Sequence, residues 1–166
     1  MATTQERSDE MTNAAATPPV LNRASKGGHQ AVKKTSTHIQ GAAAGDIGST
    51  IDICSLPGGS RVDMHQSSLR NTAHGTSVTL SIGWRAYQLP NGTVVAENAI
   101  GLCSGIVTAG AGYRQLVEAP TLGAGLDPDD TRLFEGPVVL FATTAGGIIA
   151  AGARSVFRIV YAETGD

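Results

Sequence analysis

Residues 136–162, GPVVLFATTAGGIIAAGARSVFRIVYA, decide the fold class of this chain. Segments 138–144 and 153–161 are rich in the valine, isoleucine, phenylalanine and threonine that favour β-strands, and a run of glycine and alanine separates them. Alternation in the second strand puts four residues on one face: Ser155, Phe157, Ile159 and Tyr161. The other face carries two arginines flanked by valines: Arg154, Val156, Arg158 and Val160. The pattern predicts a β-hairpin with a glycine-rich turn. It also predicts that the arginine-bearing face of the second strand is solvated or turned toward a partner.

More strands are predicted upstream of this segment. Residues 51–54 and 78–82 alternate between apolar and polar side chains at the strand period, as half-buried strands do. Asn91 and Gly92 separate two extended segments, and an Asn-Gly pair supplies the positive φ angles of a tight hairpin turn. Helix patterns are poor throughout, and the best candidate is a short helix over residues 127–135. We therefore predict an all-β fold, an antiparallel β-sandwich or a jelly-roll-like barrel.

The size and composition indicate one domain with a thin core. The chain has 166 residues, of which 41% are hydrophobic, but only three are Phe, one is Trp and three are Tyr. Glycine and alanine bury little apolar area, so each core position contributes less stabilisation than usual. Such domains are commonly supplemented by burial against other subunits, and we expect an oligomer.

The charges divide the chain near residue 40, into an N-terminal arm (residues 1–40) and a body (residues 41–166). The arm should not fold alone, because it has no aromatic residue and no sustained apolar periodicity. It is basic through four residues in an acid-free stretch: Arg23, Lys26, Lys33 and Lys34. The body has seven arginines against eleven acids. We expect the extended arm to bind an acidic protein surface, with packing on its own body as the alternative.

Binding to nucleic acid or to a membrane is not expected. Four positive charges make a weak phosphate-binding patch, and no aromatic residue that could stack on a base precedes Trp84. No apolar run is long enough to span a membrane, and the first residues carry acids where a signal peptide would be basic and then apolar.

Cysteine chemistry is not expected either. Cys54 and Cys103 form no CxxC pair, which predicts two buried free thiols. Residues 101–105, GLCSG, fit the G-x-C-x-G pattern of a cysteine nucleophile, but the glycine-rich residues after it cannot continue as the required helix. No histidine follows His74 to act as the base in the hydrolase order. We therefore expect no enzymatic activity.

No metal or cofactor is predicted. The carboxylates of Asp127, Asp129 and Asp130 suit calcium, but the glycine and the final glutamate of an EF-hand are missing, so a helix cap accounts for them better. An irregular metal site is the alternative. His65 and His74 could join Cys54 as three zinc ligands, although nothing in their spacing demands it.

Three segments together carry a family resemblance: IDICSLPGGSRV (51–62), NTAHGTSVTLSIGW (71–84) and residues 136–162. Their order resembles that of the small β-rich virion proteins that tailed bacteriophages make along with their major capsid protein, described as capsid decoration or cement proteins. Residues 85–135 and the arm have no counterpart in this resemblance.

The resemblance implies a non-enzymatic protein on the exterior of the capsid, made in the host cytoplasm. It implies the major capsid protein as partner and a homo-oligomer, with a trimer as our guess. The arm would lie across capsid subunits, with Arg23, Lys26, Lys33 and Lys34 meeting acidic surface. The alternative is a fibre, tail or adhesin component that binds a host glycan or another virion protein, with Trp84, Tyr87 and Tyr113 exposed on one face. A small soluble host β-domain is the residual class.

Overall fold

A computed structural model of the chain describes residues 5–7, 31–41 and 45–163, and these ranges contain β-strands, one short 3₁₀ turn (Leu116–Glu118) and no α-helix. Six strands form the first sheet: β1 (Gln5–Arg7), β3 (Thr50–Leu56), β6 (Thr79–Trp84), β9 (Asn98–Val107), β11 (Thr121–Leu122) and β13 (Val138–Ala145). Six more form the second sheet: β2 (Val32–Ile39), β4 (Ser60–Asp63), β5 (Ser68–Asn71), β10 (Gly112–Gln115), β12 (Thr131–Phe134) and β14 (Arg154–Glu163). A small hairpin is made of β7 (Tyr87–Gln88) and β8 (Val94–Val95). None of the described residues forms a helix that is long and apolar enough to cross a membrane.

The pairing is antiparallel, apart from the parallel contact of β1 with β3. The first sheet runs β1-β3-β13-β6-β9-β11. In the second sheet, β14 has β2 along one side and β5 followed by β4 along the other, with β10 beyond β5 and β12 beyond β4. The inward faces of both sheets enclose one core. The prediction of an all-β, antiparallel fold is confirmed.

The predicted faces of β14 are also confirmed at most positions. Ser155, Phe157, Ile159 and Tyr161 are all buried, with at most 1% of each exposed. On the other face Arg154 is exposed, while Val156 and Arg158 are partly exposed and Val160 is buried.

The predicted hairpin between residues 138–144 and 153–161 is wrong. Strand β13 lies in the first sheet between β3 and β6, and β14 lies in the second sheet, so residues 146–153 cross from one sheet to the other. Gly146 and Gly152 adopt positive φ angles of 74° and 77° in this connection. Glycine therefore reverses the chain as expected, but it does not fix the strand with which each segment pairs.

The predicted helix over residues 127–135 is also wrong. Residues 127–130 form a turn in which the Asp130 N–H donates to the Asp127 carbonyl, and Asp130 has a φ of 54°. Strand β12 follows at once and pairs with β4. The Asp127-Pro128 pair thus begins a tight turn instead of a helix, because the left-handed conformation of Asp130 stops a helix from continuing.

The hairpin around Asn91 and Gly92 is confirmed, since β7 and β8 pair. Only Gly92 has a positive φ, of 86°. The Leu89 carbonyl accepts from the Gly92 N–H, and the Leu89 N–H donates to Thr93, which makes a three-residue loop closed by glycine.

The last residues of the predicted arm form part of the second sheet. Strand β2 pairs with β14 from Ile39 opposite Arg154 to Val32 opposite Tyr161. The predicted boundary at residue 40 therefore falls just after a paired strand. Residues 8–30, including Arg23 and Lys26, lie outside the described ranges.

Candidate functional site

The outward face of the second sheet carries a cluster of positive charge, here called the basic surface. In the strand register, Val156 lies between Thr37 and Arg70, and Arg70 lies next to Tyr113. Four cationic side chains belong to this surface: Lys33, Arg70, Arg154 and Arg158. None of these four forms an ion pair with any residue in the described ranges. The surface is therefore a cationic patch whose charge is open to a partner.

A groove of about 870 Å³ lies in this surface where β5, β10 and β14 meet. Its lining includes Arg70, Tyr113, Arg154 and Val156. Tyr113 is 60% exposed. Two guanidinium groups and a phenol beside a recess suit a carboxylate ligand, because arginine can hold a carboxylate with two parallel hydrogen bonds.

The four predicted arm residues are not brought together within the described ranges. Lys33 is exposed on the basic surface, whereas Lys34 is its neighbour on the opposite side of β2. The Lys34 Nζ donates to the Ser55 carbonyl of β3 at 2.6 Å and so links the two sheets. Arg23 and Lys26 lie outside the described residues.

One end of the sandwich, here called the uncharged end, is built from loops 45–49, 72–78, 108–111 and 146–153. Hydrogen bonds join these loops, from the Ala150 N–H to the His74 carbonyl and from the His74 N–H to the Thr108 carbonyl. Asp46 is the single acid or base among these loop residues, apart from the buried His74. Four large apolar side chains are exposed at or beside the loops: Ile39, Ile47, Val107 and Ile148. Exposed apolar residues grouped on a surface with almost no charge are typical of a protein-binding site.

Residues 127–130 form a third feature, here called the acidic turn. Asp127 pairs with Arg61, and Asp130 lies 3.2 Å from His65. Asp129 is exposed and accepts a hydrogen bond from the Thr131 hydroxyl at 2.8 Å. Within the described ranges no three His, Cys, Asp or Glu side chains are grouped to hold a metal ion.

The structure separates the three residues considered as zinc ligands. Cys54 is in the core and His65 is exposed beside Asp130, while His74 is fully buried under β14. The Ser155 hydroxyl lies 3.1 Å from the His74 Nε2. Burial lowers the pKa of His74, a nearby His38 lowers it further, and the Arg154 carbonyl opposes both effects. The imidazole is thus held neutral in the interior, where neither it nor Ser155 is accessible to a substrate.

Both cysteines are free and buried, as predicted. Burial raises the pKa of the Cys103 thiol to about 12. Because the thiolate is the nucleophilic form, Cys103 is unsuited to attack at neutral pH.

The aromatic residues that an adhesin would expose do not share one accessible face. Trp84 and Tyr87 are 4% and 7% exposed, and their rings meet the edge or face of the buried Phe134 at 5.5 and 5.8 Å. Tyr113 alone of the three is exposed, beside the groove.

Comparison with known proteins finds similarity in structure only. No protein-family model and no curated protein sequence matches the chain. Among solved structures, a chain in the capsid of Ralstonia phage GP4 matches with a TM-score of 0.64 at 18% identity, covering 98% of this chain and 99% of that one. The two chains therefore share a fold over almost their whole lengths. A chain of the infectious bursal disease virus Gt strain matches with a TM-score of 0.32 at 15% identity, covering 82% of this chain and 36% of that one, and supports no conclusion.

Proposed function

We propose that this chain is a non-enzymatic capsid decoration protein, which binds the outside of a phage head and stabilises the shell by bridging major capsid subunits. The observation that carries the proposal is the fold shared over 98% of the chain with a chain from a phage capsid. It agrees with the family resemblance of residues 51–62, 71–84 and 136–162. The pKa of about 12 for the buried Cys103 supports the non-enzymatic part of the proposal.

The uncharged end is the surface proposed to seat on the shell. Interface cores are depleted of charged residues and are well packed, and the loops of this end carry Asp46 as their single acid or base apart from buried His74. Ile47 and Ile148 are 55% and 40% exposed there, so they offer apolar area that binding would remove from water. The arm, through Arg23 and Lys26, would add electrostatic contacts with acidic shell surface.

The proposed mechanism is mass action. A protein that binds the assembled shell, and not the separated subunits, shifts the equilibrium toward the shell. One site stabilises by about 2.7 kcal/mol when the free protein is at roughly 100 times its Kd. Many copies, each touching more than one subunit, would add such increments around the particle.

The first test is to purify heads and to measure the ratio of this chain to the major capsid protein by quantitative mass spectrometry. A decoration protein should be present in a copy number comparable to that of the shell protein. A few copies per particle would instead favour the fibre or tail alternative, and absence from purified heads would refute a virion role.

The second test places a charge on the proposed contact surface. Ile148→Asp and Ile47→Asp should each lower occupancy on particles by about tenfold or more, because an aspartate in an apolar interface must lose its water. Val94→Asp is the matched control, since Val94 is 67% exposed but lies in β8, away from the uncharged end. Equal occupancy for all three variants would refute the assignment of this end.

A further inference from the structure

The outward face of the second sheet carries opposite charges on its two halves. The half built from β5 and β10 contains the groove with Arg70 and Arg154. The half built from β4 and β12 carries Arg61, which pairs with Asp127, and Asp63, which lies opposite Thr131. The acidic turn precedes β12, so acids outnumber bases in this half. We propose that the acidic turn of one copy enters the groove of a second copy, so that the chain assembles with itself through this face.

The groove is suited to receive a projecting carboxylate. Arg70 and Arg154 line it without an ion-pair partner in the described part of the chain, and the exposed Tyr113 stands beside them. Arg158 adds a third cation on the same face. A carboxylate that enters the groove gains charge-assisted hydrogen bonds from the arginines. The guanidinium groups lose little hydration in return, because they stay partly exposed at the surface.

The acidic turn is suited to enter such a groove. Pro128 and Asp129 are exposed at its tip, and the proline fixes its own φ. The Asp127 N–H donates to the Thr131 carbonyl, the Asp130 N–H donates to the Asp127 carbonyl, and Asp130 holds a φ of 54°. These two hydrogen bonds already fix the backbone of the turn within one copy, so docking would order few further backbone angles.

Charge complementarity selects a second copy as the occupant. In the described ranges the carboxylates of the turn pair with Arg61 and His65 and not with the cations of the groove. The body, with seven arginines and eleven acids, would repel the polyanionic backbone of a nucleic acid. The same contact repeated about a rotation axis closes a ring, and a reciprocal pair of contacts about a twofold axis closes a dimer.

This inference stands independently of the proposed function, because it concerns the protein in solution. The test measures the mass of the full chain by sedimentation equilibrium at low and high salt. The wild type should exceed the monomer mass and dissociate as salt rises. Asp129→Lys and Arg154→Glu should each raise the dissociation constant about tenfold or more, since each places like charges in contact.

The decisive variant combines Asp129→Lys with Arg154→Glu, which restores opposite charges with the order reversed. Its dissociation constant should return to within about threefold of the wild-type value. Asp46→Lys is the control, because it makes the same charge change at a residue that belongs neither to the groove lining nor to the acidic turn, and it should leave the mass unchanged. The neutral variants Asp129→Asn and Arg70→Gln provide the same comparison with a smaller effect, and thermal melting checks that each variant is folded.

A wild type that stays monomeric at all concentrations, or a double variant that fails to reassociate, would overturn the inference. If the single variants keep the wild-type mass but lose occupancy on particles, the face binds the shell and the inference is wrong. If the chain associates as expected but is absent from purified heads, the inference stands and the proposed function fails.

Discussion

The glycine at position 101 is required by its contact with the single tryptophan of the chain. A Cβ added at Gly101 would lie 2.1 Å from the Trp84 Cζ3 and 2.3 Å from its Cη2. Ordinary carbon–carbon contacts are about 3.5–4.0 Å, so the Gly101→Ala variant must move the ring by roughly 1.5 Å. The ring is held by the Ala96 carbonyl, which accepts from its Nε1 at 3.2 Å, by Phe134 and by the Arg132 guanidinium 4.9 Å away.

The expected cost follows from these contacts. Overpacking a core costs about 1–3 kcal/mol, and a displaced indole also loses part of its edge-to-face contact and its hydrogen bond, each about 0.5–1.5 kcal/mol. Gly101→Ala should therefore lower the free energy of unfolding by about 2–4 kcal/mol and lower the Tm by roughly 5–15 °C.

The assay is urea unfolding followed by tryptophan fluorescence, which reports on Trp84 alone. Gly110→Ala is the matched control, since nothing lies within 4 Å of its added Cβ, and it should be neutral or stabilising by up to about 1 kcal/mol. If the two variants were equally stable, the tight packing of Trp84 against β9 would not exist as described.

Acid should destabilise the fold through His74. Its lowered pKa means that the unfolded chain binds the proton more readily, so the stability contribution is complete above about pH 7 and is lost as the pH falls below the unfolded pKa of about 6.5. The urea midpoint of unfolding should decrease when the pH is lowered from 7.5 to 5.5, and it should decrease less in His74→Gln. An unchanged wild-type midpoint would contradict this. Because burial raises the pKa of Cys103 to about 12, its thiol should not react with iodoacetamide at pH 8 in the folded protein. It should react once urea unfolds the chain, and mass spectrometry of the labelled protein measures both reactions. Fast labelling of the folded chain would contradict the burial of Cys103.

Strand positions and their buried faces could be predicted from the sequence because they depend on local alternation. The segments around Ile53, Leu80 and Leu140 are strands, and the alternation of β14 matches its buried face. The half-buried face predicted for residues 51–54 is wrong, because Asp52 and Cys54 are buried as well as the two isoleucines. The sequence pattern does not indicate β2, because its inward positions are polar. Ser36 and His38 are buried there, and the Ser36 hydroxyl donates to the Ile53 carbonyl instead of filling an apolar core.

The pairing partners could not be predicted from local pattern. The residues before β14 predict a turn, but they do not show whether the turn joins two strands of the same sheet or crosses between sheets. That depends on β3 and β6, which flank β13 on both sides. The same limit applies to the basic surface. Sequence alternation alone places Arg154 and Arg158 on a face that could meet a partner, whereas Arg70 and Tyr113 join them only through the register of β5 and β10.

The position of β2 also changes how the arm can be studied. Removing residues 1–40 would remove all of β2, whose eight residues pair along β14. A loss of particle binding in that deletion would then combine the effect of the arm with that of an incomplete sheet. Charge reversal at Lys33, which is exposed, tests the basic surface without this complication.

Each sheet has at its centre a strand that comes much later in the chain than its neighbours. Strand β13 separates β3 from β6, and β14 separates β2 from β4 and β5, with Ile39 opposite Arg154. Until both central strands arrive, the earlier strands can form only fragments of either sheet. Closing such long loops costs entropy before any contact repays it, so folding is slow and all-or-none, in the range of milliseconds to seconds that is common for β-sandwiches. During that interval the nascent edges of β3 and β2 are open to pairing with other chains, which makes the chain that has not yet folded, and not the finished protein, the species that is prone to aggregate.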